Sequence, residues 1–243
     1  QGFGVKRAGL AVPNSVMLLV APACCGRNTT MLSAESGYGD RFFYLLLDDT
    51  DIVTGRHLTK IPKAVEEVCQ SLDHTPSAVM ICITCVDALL GTDMDRVCRK
   101  SSDRAGVPVV PCYMYALTRE KRLPPMASVR KSVYSLLKPR KRKSDEVNIL
   151  GYFSPLQEDC ELYSLLKSAG VKTIRELSRC DTFEEYEKMS RANFSLVLNA
   201  EARYAAQQME QELNIPFIEL ARVFQTDKIS CLLYTSPSPR DKR

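Results

Sequence analysis

The chain has 243 residues, of which 45% are hydrophobic and 26% charged, and at about 150 residues per domain this length suggests more than one domain. It contains no run of about 18 apolar residues and does not open with a basic and then apolar segment, so we expect a cytoplasmic protein without a membrane span or secretory signal. The formal net charge of +4 is too small to indicate a nucleic-acid partner.

Cysteine is the unusual residue of this composition. The chain has ten cysteines but only two histidines, His57 and His74. In a long chain without a secretory signal, cysteines are more typical of buried small residues or metal ligands than of disulfides. A histidine-rich metal centre is therefore not expected, and any metal chemistry has to use thiolates.

Short apolar runs alternate with amphipathic stretches in the first part of the chain. The apolar runs are nearly continuous and are bounded by turn or cap residues, which is typical of strands buried on both faces of a sheet. Strands are predicted at residues 16–21, 42–47, 78–84 and 107–111, and helices at 58–72 and 88–104. This alternation predicts an α/β fold with a Rossmann-like, doubly wound parallel sheet, and we assign residues 1–138 to a first domain.

A basic segment interrupts the alternation after Leu137. Residues 139–146 contain no apolar residue other than Pro139 and are predicted to link two domains. The alternation then resumes, with strands predicted at 147–151, 171–175, 195–198 and from Ile215 onward, and helices at 157–169, 182–189 and 201–213. We expect residues 147–229 to form a second Rossmann-like unit, which is incomplete.

The last residues, 230–243, do not continue this pattern. They resemble the read-through translation of a sequencing adapter, and we interpret them as a non-native tail. Cys231 is for this reason left aside as a candidate ligand.

Three cysteines fall at the ends of predicted strands. Cys25 follows the first strand, Cys85 ends the third, and Cys112 directly follows the fourth. In an open parallel sheet, ligands bind where the carboxyl ends of the strands converge. Three thiols at that edge could ligate an iron–sulfur cluster, whereas the alternative is that each is a small residue buried in the core.

Other candidate sites have ordinary structural interpretations. Cys82 and Cys85 have CxxC spacing, but residues i and i+3 of a strand point to opposite faces unless the chain turns at Thr84. Residues 26–30 have neither a Walker loop nor a dinucleotide fingerprint and are interpreted as a helix start. The acidic loop 48–51 is interpreted as an Asx turn rather than a divalent-cation site.

Several motifs, in this order and spacing, resemble those of one known family. Ala21-Pro22-Ala23-Cys24-Cys25 is similar to a His-Gly-Pro-x-Gly-Cys turn. Residues 51–55 are similar to Asp-Ile-Val-Phe-Gly, and residues 84–93 to Thr-Cys-x-x-x-Leu-Ile-Gly-Asp-Asp. Residues 147–152 are similar to the start of the family's second domain, and residues 195–220 to a segment that ends in Gly-Ile-Pro. The family is component 1 of the nitrogenase-type oxidoreductases. It includes the subunits of the molybdenum–iron protein, cofactor-scaffold proteins, and the light-independent protochlorophyllide and chlorin reductases.

This resemblance implies a ligand set and partners. It implies that Cys25 and Cys85 are metal ligands of an iron–sulfur cluster, of the 4Fe–4S or P-cluster-like type, that is shared with a homologous component 1 subunit in a homo- or hetero-oligomer such as a heterotetramer. Cys112 is also a cofactor-binding candidate, but it ranks third after Cys25 and Cys85. The reason is that relatives often carry a cysteine or polar residue at this position that is not a ligand. The resemblance also implies that a separate ATP-dependent iron protein supplies electrons. Our first hypothesis is therefore a subunit of a nitrogenase-like reductase that relays electrons to a substrate.

Departures from the family pattern keep two alternatives open. The His-Gly of the family motif is Val20-Ala21 here, its second glycine is Cys24, and Asn199 stands where the molybdenum–iron subunit has the cysteine that holds its catalytic cofactor. Dinitrogen reduction is therefore not expected. One alternative is a scaffold that holds a nascent metallocluster or tetrapyrrole and transfers it without turnover. The other is a cluster-free α/β ligand-binding protein whose cysteines all belong to the core.

Overall fold

The computed structural model describes residues 4–35, 37–114 and 123–220. The first part of the chain contains α1 (Gly4–Gly9), β1 (Val16–Ala21), α2 (Ala23–Glu35), β2 (Phe42–Leu46), α3 (Asp49–Val53), α4 (His57–Ser71), β3 (Val79–Ile83), α5 (Cys85–Leu90), α6 (Met94–Ala105), β4 (Val109–Tyr113) and α7 (Pro125–Tyr134). The second part contains β5 (Glu146–Leu150), α8 (Glu161–Ser168), β6 (Thr173–Glu176), α9 (Phe183–Glu187), β7 (Phe194–Val197), α10 (Arg203–Leu213) and β8 (Phe217–Glu219). The predicted tail, 230–243, lies outside the described residues.

The strands form two parallel four-stranded sheets. Their orders are β2-β1-β3-β4 and β6-β5-β7-β8, and every neighbouring pair is parallel. The chain divides into two compact units, one within Gln1–Lys138 and Cys180–Glu187, the other within Pro139–Arg179 and Lys188–Arg243. The predicted α/β class, with parallel sheets flanked by helices, is confirmed.

The sheet of the first unit is buried on both faces. Val16, Leu18 and Val20 of β1 face one way and pack with α4 and α6. Met17 faces the other way, against α1, where a Cβ atom on Gly9 would lie 2.6 Å from the Met17 Cε atom. Successive side chains of a strand point to opposite faces, so a continuously apolar strand is what a sheet covered on both sides requires. Each fully buried aliphatic side chain stabilises the fold by about 1.5–3 kcal/mol relative to an exposed one.

A buried carboxylate opens the second sheet. Glu146 is the first residue of β5, and its carboxylate lies 3.0 Å from Arg191 and 3.3 Å from Arg175. In the segment before it, predicted as a linker up to residue 146, the Arg142 guanidinium donates to Asn193 and to the Asn214 carbonyl. Arg142 is therefore attached to the second unit, and Glu146 belongs to the sheet itself.

Among the elements that differ from the sequence prediction, three show a structural reason for the difference. The predicted helix 88–104 is two helices, α5 and α6, separated at Gly91, whose φ is +63°. The strand predicted at 107–111 begins and ends two residues later; Pro111 is accommodated because β4 is an edge strand. Helix α9, which the sequence assigns to the second domain, belongs to the first unit. There the buried Tyr186 donates its hydroxyl to the Val133 carbonyl.

The helices in the described ranges are all too short or too polar to cross a membrane.

Candidate functional site

The carboxyl ends of β1 and β3 lie side by side at one edge of the first sheet, because the two strands are parallel neighbours. Pro22 follows β1, and Cys25 lies in the first turn of α2. Thr84 follows β3, and Cys85 is the first residue of α5. The structure therefore brings the two predicted metal ligands, Cys25 and Cys85, to the same edge of neighbouring strands.

The surroundings of the half-buried Cys25 thiol raise its pKa. Burial raises its pKa most, and the hydrogen bond with Cys24 and the charges of Cys24 and Cys85 raise the pKa further. The nearby ammonium of Lys6 lowers it. Because a thiol has to lose its proton to bind a metal, metal binding at Cys25 would release a proton.

A tyrosine on β2 fixes the first turn of α2. The Tyr44 hydroxyl donates to the Ala21 carbonyl at 3.1 Å. Its ring lies so close to Gly26 that a Cβ atom there would be 2.1 Å from the Tyr44 Cζ atom. The backbone N–H groups of Cys25 and Gly26 both donate to the Pro22 carbonyl, at 3.1 and 3.2 Å. These contacts hold the turn that carries Cys25 against the sheet.

A buried lysine lies close to this edge. Lys6, on α1, is only 1% exposed. Burial lowers the pKa of its ammonium, and the charges of Cys82 and Cys25 raise that pKa. A buried cation close to a thiol favours the charged thiolate. Lys6 carries no signal in the sequence, because its place beside Cys25 depends on the packing of the short helix α1.

Cys112 lies inside the core rather than at the exposed end of its strand. It belongs to β4, opposite Cys82 of β3, and both residues are completely buried. A Cβ atom on Gly9 would lie 3.3 Å from the Cys112 Sγ atom, so this thiol packs beneath α1. Burial raises the pKa of Cys82 to about 12 and that of Cys112 well above its ordinary value. The structure therefore groups Cys112 with Cys82, and a cofactor-binding role for Cys112 stays a prediction.

Two of the sequence motifs line one cavity of about 510 Å³. Residues 52–55 come from the first motif and residues 90–93 from the second. Buried His57 bridges the motifs, because its Nδ1 atom lies 3.2 Å from the Asp51 carbonyl and its Nε2 atom 3.2 Å from the Thr92 hydroxyl. His57 thus connects the two motifs through its ring nitrogen atoms. Its position between the motifs was the only signal of this role in the sequence.

The thiols at the sheet edge fit part of a cluster-binding site. Across the three described ranges, no group of three or more His, Cys, Asp or Glu side chains is arranged to hold a metal ion. Cys25 and Cys85 could therefore serve only as part of a larger ligand set. The Thr84 hydroxyl, next to Cys85, is buried and has no hydrogen-bond partner among the described residues. A buried orphan hydroxyl and two nearby thiols suit a bound group with sulfur ligands.

The sequence matches the family described as nitrogenase component 1 type oxidoreductase over residues 1–233. Curated relatives include two nitrogenase iron-molybdenum cofactor biosynthesis proteins named NifE. The protein from Rhizobium meliloti (strain 1021) is 27% identical over 224 residues, which cover 89% of this chain and 47% of the relative. The protein from Nostoc sp. (strain PCC 7120 / SAG 25.82 / UTEX 2576) is 24% identical over 229 residues, which cover 91% and 47%.

The comparison with solved structures shows a similar fold. The solved structure titled "Nitrogenase Cp1 at pH 6.5" matches with a TM-score of 0.62 and 21% sequence identity, over 95% of this chain and 49% of that chain. The chain thus spans about half the length of the curated relatives and of this structure. Since the family match extends over nearly all of its residues, the chain belongs to the nitrogenase component 1-type oxidoreductases.

Proposed function

We propose that this chain is part of a component 1-type scaffold in the cytoplasm, which holds an iron–sulfur-based metallocluster through Cys25 and Cys85 and passes it on. The observation that carries the proposal is the placement of these two thiols at the carboxyl ends of adjacent parallel strands. Ligands of open α/β sheets bind at this edge. When bound, such a cluster supplies iron–sulfur redox chemistry.

The residues around the two thiols suit the binding of an anionic group. Lys6 is buried, and its charge acts against the burial that raises the pKa of the Cys25 thiol. The orphan Thr84 hydroxyl can donate a hydrogen bond to a sulfur ligand, and such bonds adjust the potential of a cluster. Tyr44 keeps the Cys25 turn in place, so the binding edge is formed before a ligand arrives.

A biosynthetic scaffold is favoured over an electron relay for two reasons. The curated relatives described above are named cofactor biosynthesis proteins. In addition, Asn199, at the position that resembles the cofactor-binding cysteine of the molybdenum–iron subunit, has a capping role: its side chain accepts a hydrogen bond from the Glu201 N–H at 2.9 Å. An amide in a helix cap does not replace a thiolate ligand.

The second candidate function is electron relay from an ATP-dependent iron protein to a substrate. It is favoured by the family description, which names an oxidoreductase. A relay and a scaffold use the same two thiols, but only the relay performs many turnovers with one cluster. Both candidates place this chain in an assembly with a homologous component 1 subunit.

The test is anaerobic purification of the full chain, followed by iron and labile-sulfide analysis. We expect both to be present, and we expect Cys25→Ala and Cys85→Ala each to reduce them at least tenfold. Cys160→Ser is the matched control, because Cys160 precedes α8 in the second unit and serine is a good residue at a helix start. Iron in the wild type that persists in both alanine variants would contradict the assignment of ligands.

A transfer experiment separates the two candidate functions. A scaffold loses its iron and sulfide stoichiometrically to an apo-acceptor and shows no sustained reductase-dependent turnover. A relay keeps its iron while an iron protein and ATP drive repeated reduction of a dye. Sustained turnover with an intact cluster would therefore contradict the scaffold and support the relay.

A further inference from the structure

A second thiol lies directly beside Cys25. The Sγ atoms of Cys24 and Cys25 are 3.8 Å apart, with Cys24 exposed and Cys25 half-buried. In the motif that this segment resembles, a glycine stands at the position of Cys24. The additional thiol is therefore a feature of this chain and not of the motif.

The separation of the two sulfur atoms matches the spacing of two ligands on one tetrahedral metal ion. Metal–thiolate bonds of about 2.3 Å at a tetrahedral angle put the two sulfur atoms about 3.8 Å apart. Two thiolates on one metal ion occur at soft metals such as Zn²⁺ and Cu⁺ and at each iron of a [2Fe–2S] unit. In the metal-free chain the same separation lets one of the two thiols donate a hydrogen bond to the other.

The turn that carries the two thiols is held in place from both sides. The Cys25 and Gly26 N–H groups donate to the Pro22 carbonyl, and the Tyr44 ring packs directly on Gly26. The pair lies in the first turn of α2, a helix of 13 residues, where the helix dipole favours negative charge. The backbone that carries both thiols is therefore in place before a metal ion binds.

We propose that Cys24 and Cys25 together chelate one soft metal ion, so that Cys24 is a thiolate ligand additional to those of the family motif. This site goes beyond the proposed function, because it requires a single thiophilic ion and not an intact cluster. The pair supplies two of the four tetrahedral positions, and solvent fills the other two.

The test uses Cd²⁺ alone as the probe on the reduced, metal-free full chain under anaerobic conditions. We expect the ultraviolet charge-transfer absorbance of a bound ion with two thiolate ligands from the pair. Cys24→Gly, which restores the motif residue, and Cys24→Ser should each remove one thiolate contribution and weaken Cd²⁺ binding at least tenfold. Cys160→Ser is the control and should bind Cd²⁺ like the wild type.

The alternative outcomes are distinct. Wild-type Cd²⁺ affinity and charge-transfer intensity in folded Cys24→Gly and Cys24→Ser proteins would overturn the chelating pair, as would the absence of any Cys25-dependent Cd²⁺ site. Circular dichroism confirms that each variant is folded. A chain that binds Cd²⁺ through both thiols, yet takes up no iron and sulfide on reconstitution, supports the pair and contradicts the proposed function. The experiment thus distinguishes failure of the chelating pair from failure of the proposed function.

Discussion

Asp51 is a buried carboxylate that two cations and a helix cap satisfy together. Its oxygens lie 2.6 Å from the Lys60 Nζ atom and 2.9 Å from the Arg56 Nε atom. The Asp51 N–H donates to the Asp48 side chain and the Asp48 N–H to the Asp51 side chain, which forms a reciprocal cap at the start of α3. This geometry agrees with the interpretation of the acidic loop as a turn and leaves no reason to place a divalent cation there.

The ionised state of Asp51 is predicted to stabilise the fold. The hydrogen bond from Lys60 lowers the pKa of Asp51 the most, and the contacts with Asp48 and Arg56 lower it further. Burial raises this pKa, but the net result is a pKa of about 2. An unfolded aspartate has a pKa of about 3.9, so the folded state binds this proton less readily. The stabilisation is therefore complete above about pH 4 and is lost as the pH falls through about 2.

Asp51→Asn is expected to lower the melting temperature by a few degrees at pH 7, because the amide cannot pair with Lys60 and Arg56. The difference from the wild type should shrink as the pH falls from about 4 towards 2. Thermal denaturation by circular dichroism across that range measures it. Asp49→Asn, at an exposed position of the same helix, is the control and should have little effect at any pH. A pH-independent difference would mean that the charge of Asp51 is not responsible.

The break between α5 and α6 shows how a single backbone conformation ends a helix. Gly91 has a φ of +63°, a left-handed conformation that side chains with a Cβ atom disfavour. Two residues later the Asp93 side chain accepts a hydrogen bond from the Arg96 N–H at 3.0 Å and caps α6. The amphipathic pattern alone predicts one helix here, because the apolar spacing continues across the break.

Gly91→Ala is expected to destabilise the fold by about 1–2 kcal/mol, the cost of a left-handed conformation for a residue with a Cβ atom. Apart from its two chain neighbours, no heavy atom of the described residues lies within 4 Å of the position that this Cβ would occupy, so the cost is conformational and not steric. Urea denaturation measures the change in unfolding free energy. Gly91→Asn should cost less, because asparagine tolerates this conformation. Equal effects of the two substitutions would contradict the explanation.

The regular elements are predictable from sequence where local pattern and tertiary packing agree. β1 occupies the predicted residues, because its apolar run ends at Pro22, directly before α2. β4 lies two residues later than predicted and includes Pro111, which a strand tolerates here because β4 is at the edge of the sheet, a position that the local pattern does not reveal. Helix α1 has no sequence signal, since its six residues begin and end with glycine and it packs on α7 and β4.

The same distinction holds for the candidate site. The placement of Cys25 and Cys85 at one edge of the sheet can be predicted, because both follow the carboxyl ends of neighbouring parallel strands. Lys6 and Tyr44 cannot, because each approaches Cys25 only through the packing of another element on the sheet edge. The proximity of Cys24 to Cys25 is visible in the sequence, but the 3.8 Å spacing of their sulfur atoms is not.

At the scale of the whole molecule, each unit has its own sheet and its own hydrophobic core. Cys25 and Cys85 both come from the first unit. An iron–sulfur cluster of the Cys-ligated type takes about four thiolates, and the described residues do not complete such a set. Under the proposed function, the missing ligands therefore come from a further component 1 chain or from residues outside the described ranges.

We expect the iron to be held between chains. Size-exclusion chromatography with light scattering and iron analysis should find the iron in a species that contains more than one component 1 chain, with little iron in the monomer. Dilution that dissociates this species should release iron in proportion, because a cluster that loses part of its thiolate set is no longer held. Cys25→Ala is the control, and it should remove the iron from the species that contains more than one chain. A monomer that retains its full iron content would instead place every ligand within one chain.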